Sequence, residues 1–337
     1  MTVENRELAD ELFEPAQEQQ SAKSISRPAM TYWQDAWKRF LKNKAAFAGL
    51  MLIALIILLA VFGPYANNHG YDEQNLARAN LPPKVPILEQ VGWLGFDGVD
   101  NRGIDRYEAS GVTDYYWFGT DNLGRDLWTR VWHGTRISLY IAFLAAAIDL
   151  LIGVAYGGIS AYYGGRVDNV MQRLIEILVG IPNLIVVILL ILVLKPGIMS
   201  ITLAMVITGW VGMARIVRGQ ILKLKEQEFI LASKTLGAKD KRMIWKHLIP
   251  NALGPIIITT MFTIPTAIFT EAFLSFIGLG LQPPVSSLGT LINEGYKLLG
   301  IYPHMLAFSS IVISVIMISF NLLGDGLQDA LDPKMRK

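Results

Sequence analysis

Six long apolar runs, each nearly free of charge, constrain this chain more than any other feature. Residues 45–66 hold no charged side chain, and a helix of that length crosses the roughly 30 Å hydrocarbon core of a bilayer. Residues 137–163 are interrupted only by Asp149, residues 176–194 and 198–214 flank the turn Lys195, Pro196, Gly197, residues 253–277 contain Glu271, and residues 305–324 complete the set. Hydrocarbon offers backbone groups no water, so runs of this kind are helices. Composition agrees: 52% of the 337 residues are hydrophobic and 17% charged, against about 25% charged in soluble domains. The first run starts too late and is too long for a cleaved signal peptide.

Loop charge sets the orientation, because cytoplasmic loops near spans carry an excess of Lys and Arg. Lys38, Arg39, Lys42 and Lys44 precede the first span, and a basic stretch from Arg215 to Lys246 follows the fourth. Both segments lie on one side if four crossings separate them, and Lys334, Arg336 and Lys337 return there. Both termini are therefore expected in the cytoplasm. Residues 1–30, polar and acidic, read as a mobile cytoplasmic tail, and residues 331–337 as a second one. In residues 31–44, Trp33, Trp37, Phe40 and Leu41 recur at helical spacing opposite the basic residues, which predicts an interfacial helix resting on lipid.

Residues 67–134 form an external loop that is acidic up to residue 117, with Asp72, Glu73, Asp97, Asp100, Asp105, Glu108 and Asp114. Its prolines and glycines predict irregular structure. At its end Asp121 is positioned to cap a helix striped by Leu123, Leu127 and Val131, which predicts a helix on the outer membrane face.

Residues 226–250 are a basic cytoplasmic loop within the five-helix remainder, 135–330. Glu228, Phe229, Leu231, Ala232, Ser233 and Leu236 lie in a short helix, Phe229, Leu231 and Leu236 on one side, and Gly237 supplies a stop. A second short helix starts near Asp240 and carries Met243, Ile244 and Trp245 toward His247 and Pro250. Two short apolar-faced helices need a cover: either lipid headgroups or another protein.

The spacing Ala232, Ser233, three residues, Gly237, nine residues, His247, Leu248, Ile249, Pro250 resembles the cytoplasmic signature loop of bacterial ABC importer permeases. Leu231 stands where the motif has Glu, Ser233 where it has Ala and His247 where it has Ile. Glu228, one turn earlier, is a candidate replacement for the missing Glu. Further pieces, namely RFLKNKAAFAGL before the first span, GTDNLGRD at 119–126, EAFLSFIGLGLQPP from Glu271 and LLGDGLQDALDP near the end, are similar to the C-type permeases of oligopeptide and dipeptide ABC importers. The resemblance implies an all-α membrane protein with six transmembrane helices of the type I ABC importer permease architecture. It also implies a second homologous permease subunit, two cytoplasmic ABC ATPases carrying ATP and Mg, and an external peptide-binding protein. In that family residues 228–250 would be the coupling helices, with Gly237 a hinge. Permeases for dipeptides, nickel or another small solute share the signature pieces.

Glu271, Asp149 and Glu176 are expensive facing lipid, so each is expected to face the bundle, a cavity or a span end. Glu176 has Arg173 one turn away, which predicts a local ion pair. Asp149 lies beside Gly153-x-x-x-Gly157, a pattern that allows close helix approach. It reads either as a packing residue or, with Glu271, as part of a translocation pathway.

The absences are equally informative. There is no G-x-x-x-x-G-K-[ST] phosphate loop, no G-x-S-x-G elbow and no cysteine, and His69, His133, His247 and His304 lack metal-ligand spacing. No catalytic, cofactor or metal site is expected in the chain, and a net charge of +2 without a basic aromatic face argues against nucleic acid. The rival of another class is a proton-coupled secondary transporter using Asp149 and Glu271; a membrane-embedded enzyme or a scaffold is a further alternative.

Overall fold

The computed structural model describes residues 31–100 and 102–332; the expected tail over 1–30, and residues 333–337 of the second, lie outside them. The described residues are helical, with isolated β-bridges and no strand. The first two helices are α1 (Tyr32–Lys42) and α2 (Lys44–Phe62). Thr31 caps α1 in a capping box with Gln34, and Asn43 caps α2 through the backbone N–H groups of Ala45 and Ala46. Asn43, at φ −77° and ψ 101°, leaves helical geometry and so ends α1 and begins α2. Tyr32 donates a hydrogen bond to the Leu331 carbonyl at 2.9 Å, which ties α1 to the end of the last helix.

Residues 66–126 cover the outer face through short turns and the five-residue helix α3 (Arg106–Ser110). The segment has a small core of its own made by Leu81, Tyr107 and Tyr116. Tyr107 donates to the Pro82 carbonyl at 2.9 Å, and burial pushes its phenol well above the usual range. At Gly124 the backbone has φ +72° and passes so close to the Asn75 carbonyl that a Cβ would lie 1.9 Å from it, so only glycine fits.

The next helix, α4 (Leu127–Tyr163), departs from expectation. Its N-cap is Asp126, which accepts from the Thr129 N–H, and the helix runs unbroken for 37 residues. No separate helix capped by Asp121 forms; residues 127–136 belong to the same continuous helix as the second apolar run. Arg130 pairs with Asp121 and Glu294. Arg136 donates to the carbonyls of Ala60 and Val61 at the end of α2, both at 3.0 Å.

The third apolar run is broken in the middle. Helices α5 (Gly165–Gly180) and α6 (Asn183–Leu194) meet at 78° across Ile181 and Pro182. Proline removes a donor and disfavours helical geometry in the residue before it. Arg173 and Glu176 on α5 pair at 2.7 Å, as their spacing suggested. Helix α7 (Ile198–Lys225) then lies along α4. A Cβ on Gly153 would sit 2.6 Å from that of Met213, and one on Gly157 would sit 2.3 Å from the Ala214 carbonyl. The two glycines thus let α4 and α7 approach more closely than larger residues allow.

After α7 come α8 (Glu228–Thr235), α9 (Asp240–Arg242), a π-helical turn Met243–Leu248 and α10 (Ile249–Asn251). The remaining helices are α11 (Leu253–Phe276), the shorter outer helix α12 (Leu288–Lys297) and α13 (His304–Leu331). Among the described residues five helices are long and apolar enough to cross a bilayer, and the bent pair makes six if it counts as one span.

Candidate functional site

The loop between α7 and α11 has two unlike faces. Ile230, Met243, Ile244, Leu248 and Ile249 are buried and pack on Val217 and Ile221 of α7 and Val154 and Ala161 of α4. This fixes the loop to α4 and α7. Phe229, Leu231 and Trp245 point away and are about half exposed, and Leu236 is 88% exposed. Apolar side chains displayed this way on an anchored surface suit contact with another protein or with membrane lipid. Polar contacts add rigidity: Lys225 donates to the carbonyls of Ala161 and Tyr162 at 3.0 and 2.8 Å, and Arg218 grips Asp168 of α5 in a fork at 2.6 and 2.7 Å.

Glu228 is the exposed first residue of α8, where a carboxylate favours the helix N-terminus, and it is one turn from Leu231. Ala232 is exposed, and Ser233 donates to the Phe229 carbonyl at 2.8 Å. Gly237 ends the helix at φ +80°, its N–H donating to the Lys234 carbonyl at 3.0 Å. Asp240 begins α9 without capping it; its carboxylate accepts from the Tyr162 hydroxyl at 2.6 Å instead. His247 is partly buried and Pro250 exposed. Pro250 has no N–H to give the carbonyl four residues back, and the preceding turn is widened to π-helical form, a usual consequence of such a gap.

The two intramembrane carboxylates lie in different settings. Glu271 on α11 is 0% exposed and accepts from Ser138 of α4 at 2.9 Å and from Ser275 at 2.8 Å. The Ser138 oxygen also receives the Leu288 N–H at 3.2 Å, so this one cluster joins α4, α11 and α12. Replacing Glu271 by Ala leaves both hydroxyls without their acceptor, a loss expected to cost about 1–3 kcal/mol. Glu271→Gln, which keeps an acceptor, is expected to cost less. Thermal unfolding of the detergent-extracted chain tests the order.

Asp149 borders a cavity of about 300 Å³ with Asn183, Gly209 and the face of α11 that carries Thr259, Thr263, Thr266 and Thr270; Glu271 does not line it. The threonine stripe escaped the sequence reading. Its spacing of four, three and four residues places these hydroxyls on one face of α11. That face borders the cavity, with Thr266 exposed at the surface of this chain.

A third cluster lies on the outer side. Arg125 and Arg130, 3% and 1% exposed, both meet Asp121, Arg125 at 2.6 Å, and Arg130 donates to Glu294 of α12 at 2.8 and 3.2 Å. The stretch 119–126 is thereby explained as the part of the outer loop that pins α12 to α4. Glu294 was not singled out from sequence, since nothing local connects it with Arg130, 164 residues away.

Helices long and apolar enough to cross a membrane, packed around a cavity beside Asp149 and carrying a loop with an apolar exposed face, define a multi-span membrane protein. The chain belongs to the binding-protein-dependent transport system inner membrane components, whose family model matches residues 150–337. Residues 31–83 match the N-terminal TM domain of oligopeptide transport permease C. The chain is 46% identical over 336 residues to the dipeptide transport system permease protein DppC of Bacillus subtilis, covering 99% of this chain and 96% of that one. It is 47% identical to the oligopeptide transport system permease protein OppC of the same organism, covering 97% and 98%. A chain of the MetNI methionine ABC transporter, solved in inward-facing conformations, shares the fold at a TM-score of 0.50 and 18% identity, covering 60% of this chain and 96% of that one. The architecture is that of type I ABC importer permeases.

Proposed function

We propose that this chain is the permease subunit of an ATP-driven importer that takes up oligopeptides delivered by an external binding protein. The observation that carries the reading is the half-anchored loop: Phe229 and Leu231 on α8 and Leu236 just after it are displayed while Ile230 is sunk into the bundle. A push on that surface is passed to α4 and α7 through packed side chains. ATP and Mg belong to two separate cytoplasmic ATPases, and this chain contributes no catalysis. A second, related permease subunit completes the pathway, which gives the exposed part of the threonine face a partner other than lipid. Both termini lie in the cytoplasm of a bacterial cell. Closure of the ATPase pair drives the bundle from inward-facing to outward-facing, and reopening releases peptide inside. Dipeptides are the second reading, favoured by the 46% identity to a dipeptide permease.

The experiment is to extract the tagged chain in mild detergent and identify by mass spectrometry what accompanies it in stoichiometric amount. A second permease and P-loop ATPases are expected, with the ATPases lost when residues 229–236 are shuffled. A lone chain that still transports, with uptake abolished by an uncoupler at constant ATP, would favour a proton-coupled carrier instead.

A further inference from the structure

Asp149 is 6% exposed, and its Oδ1 is buried without a hydrogen-bond partner. A carboxylate at hydrocarbon depth is costly unless a positive group or a proton answers it, yet no Lys, Arg or His borders the cavity beside it. The rest of the wall offers acceptors. Thr259, Thr263, Thr266 and Thr270 each donate their hydroxyl proton to the carbonyl four residues back, at 2.8 to 3.0 Å, which leaves oxygen lone pairs as their remaining hydrogen-bonding capacity. Asn183 adds none, since its amide oxygen is already engaged by the Thr208 hydroxyl at 2.6 Å. Gly209 on α7 makes room for the carboxylate, since a Cβ there would lie 2.4 Å from Asp149 Oδ2.

A pocket with one uncompensated carboxylate and several acceptors is complementary to a compact cation rich in N–H donors. A primary ammonium, with three donors on one charged nitrogen, has that chemistry. We propose that Asp149 is the docking point for the positively charged amino end of the solute in transit, with the threonine face of α11 alongside. The inference rests on the peptide-permease reading and adds the end of the peptide that is recognised and the residue that recognises it. The volume of about 300 Å³ in this chain takes the first part of a short peptide and leaves the remainder to the far side of the pathway.

The test uses the full complex of this chain with its partner permease and ATPases, without the external binding protein, so that the latter's own preferences do not enter. The probes are a tripeptide with benzoylphenylalanine at its second position and the same tripeptide acetylated at its amino terminus. After irradiation, labelling of α4 and α11 is read by mass spectrometry. The free amine is expected to label these helices at least about tenfold more than the acetylated form, as for a buried charge pair. Asp149→Asn, close in shape, is expected to abolish the difference and Asp149→Glu to keep it. Equal labelling by both probes in the unaltered complex, or a preference that survives Asp149→Asn, overturns the inference and leaves the peptide reading standing. Labelling of the cavity by neither probe overturns both. The two-probe comparison needs no variant, so it decides the matter even if Asp149→Asn fails to assemble.

Discussion

Gly237→Pro is expected to abolish uptake while leaving the chain inserted in the membrane. Proline holds φ near −65° and has no N–H, whereas residue 237 sits at φ +80° and donates to the Lys234 carbonyl. The misfit costs about 3 kcal/mol or more, which corresponds to a loss of at least about a hundredfold in population of the native loop. The spans do not depend on that turn, so insertion and the amount of chain in the membrane remain. Gly237→Ala is the graded control. Nothing lies within 4 Å of a Cβ placed there, so alanine pays only the left-handed penalty of roughly 1–2 kcal/mol. Uptake of a labelled tripeptide by membrane vesicles, beside an immunoblot of the membrane fraction, gives both numbers. Normal uptake by the proline variant would remove the coupling role from this loop.

Arg130→Ala is expected to bring the largest loss of stability. The guanidinium is buried between Asp121 and Glu294 and joins the outer loop, α4 and α12. Removing it leaves two carboxylates with Arg125 as their only remaining cation in the cluster, and breaking a buried pair from one side costs about 3–5 kcal/mol. Glu294→Gln should cost much less, because that side chain is 38% exposed and water replaces part of what it loses. Thermal unfolding of the purified complex in detergent orders the two. Equal losses would mean that the cluster acts as a surface network.

The spans and their rough limits were legible because each is a local property. A run such as 45–66 declares itself by hydrophobicity alone, and Gly237 lies in a motif that a resemblance recognises without a fold. The sequence reading stopped where local rules did. It began the second span at residue 137, whereas α4 starts at Leu127, and Arg130 and Arg136 within it are held by Asp121, Glu294 and the carbonyls of Ala60 and Val61. It grouped Asp149 with Glu271, whereas Glu271 is satisfied by serines of its own helix and of α4, and Asp149 is left open beside a cavity. It passed over the threonines of α11, which matter through the cavity they face.

The sequence by itself thus determined that the chain crosses a membrane and roughly which segments do so, because the transfer of a segment into hydrocarbon depends on that segment's own side chains. Only the tertiary structure decided which buried polar groups are answered and which are not. Glu271 meets Ser138 across 133 residues and Arg130 meets Glu294 across 164. The free energy of a buried charge is set by the neighbours that packing brings to it, and no pattern along the chain records them.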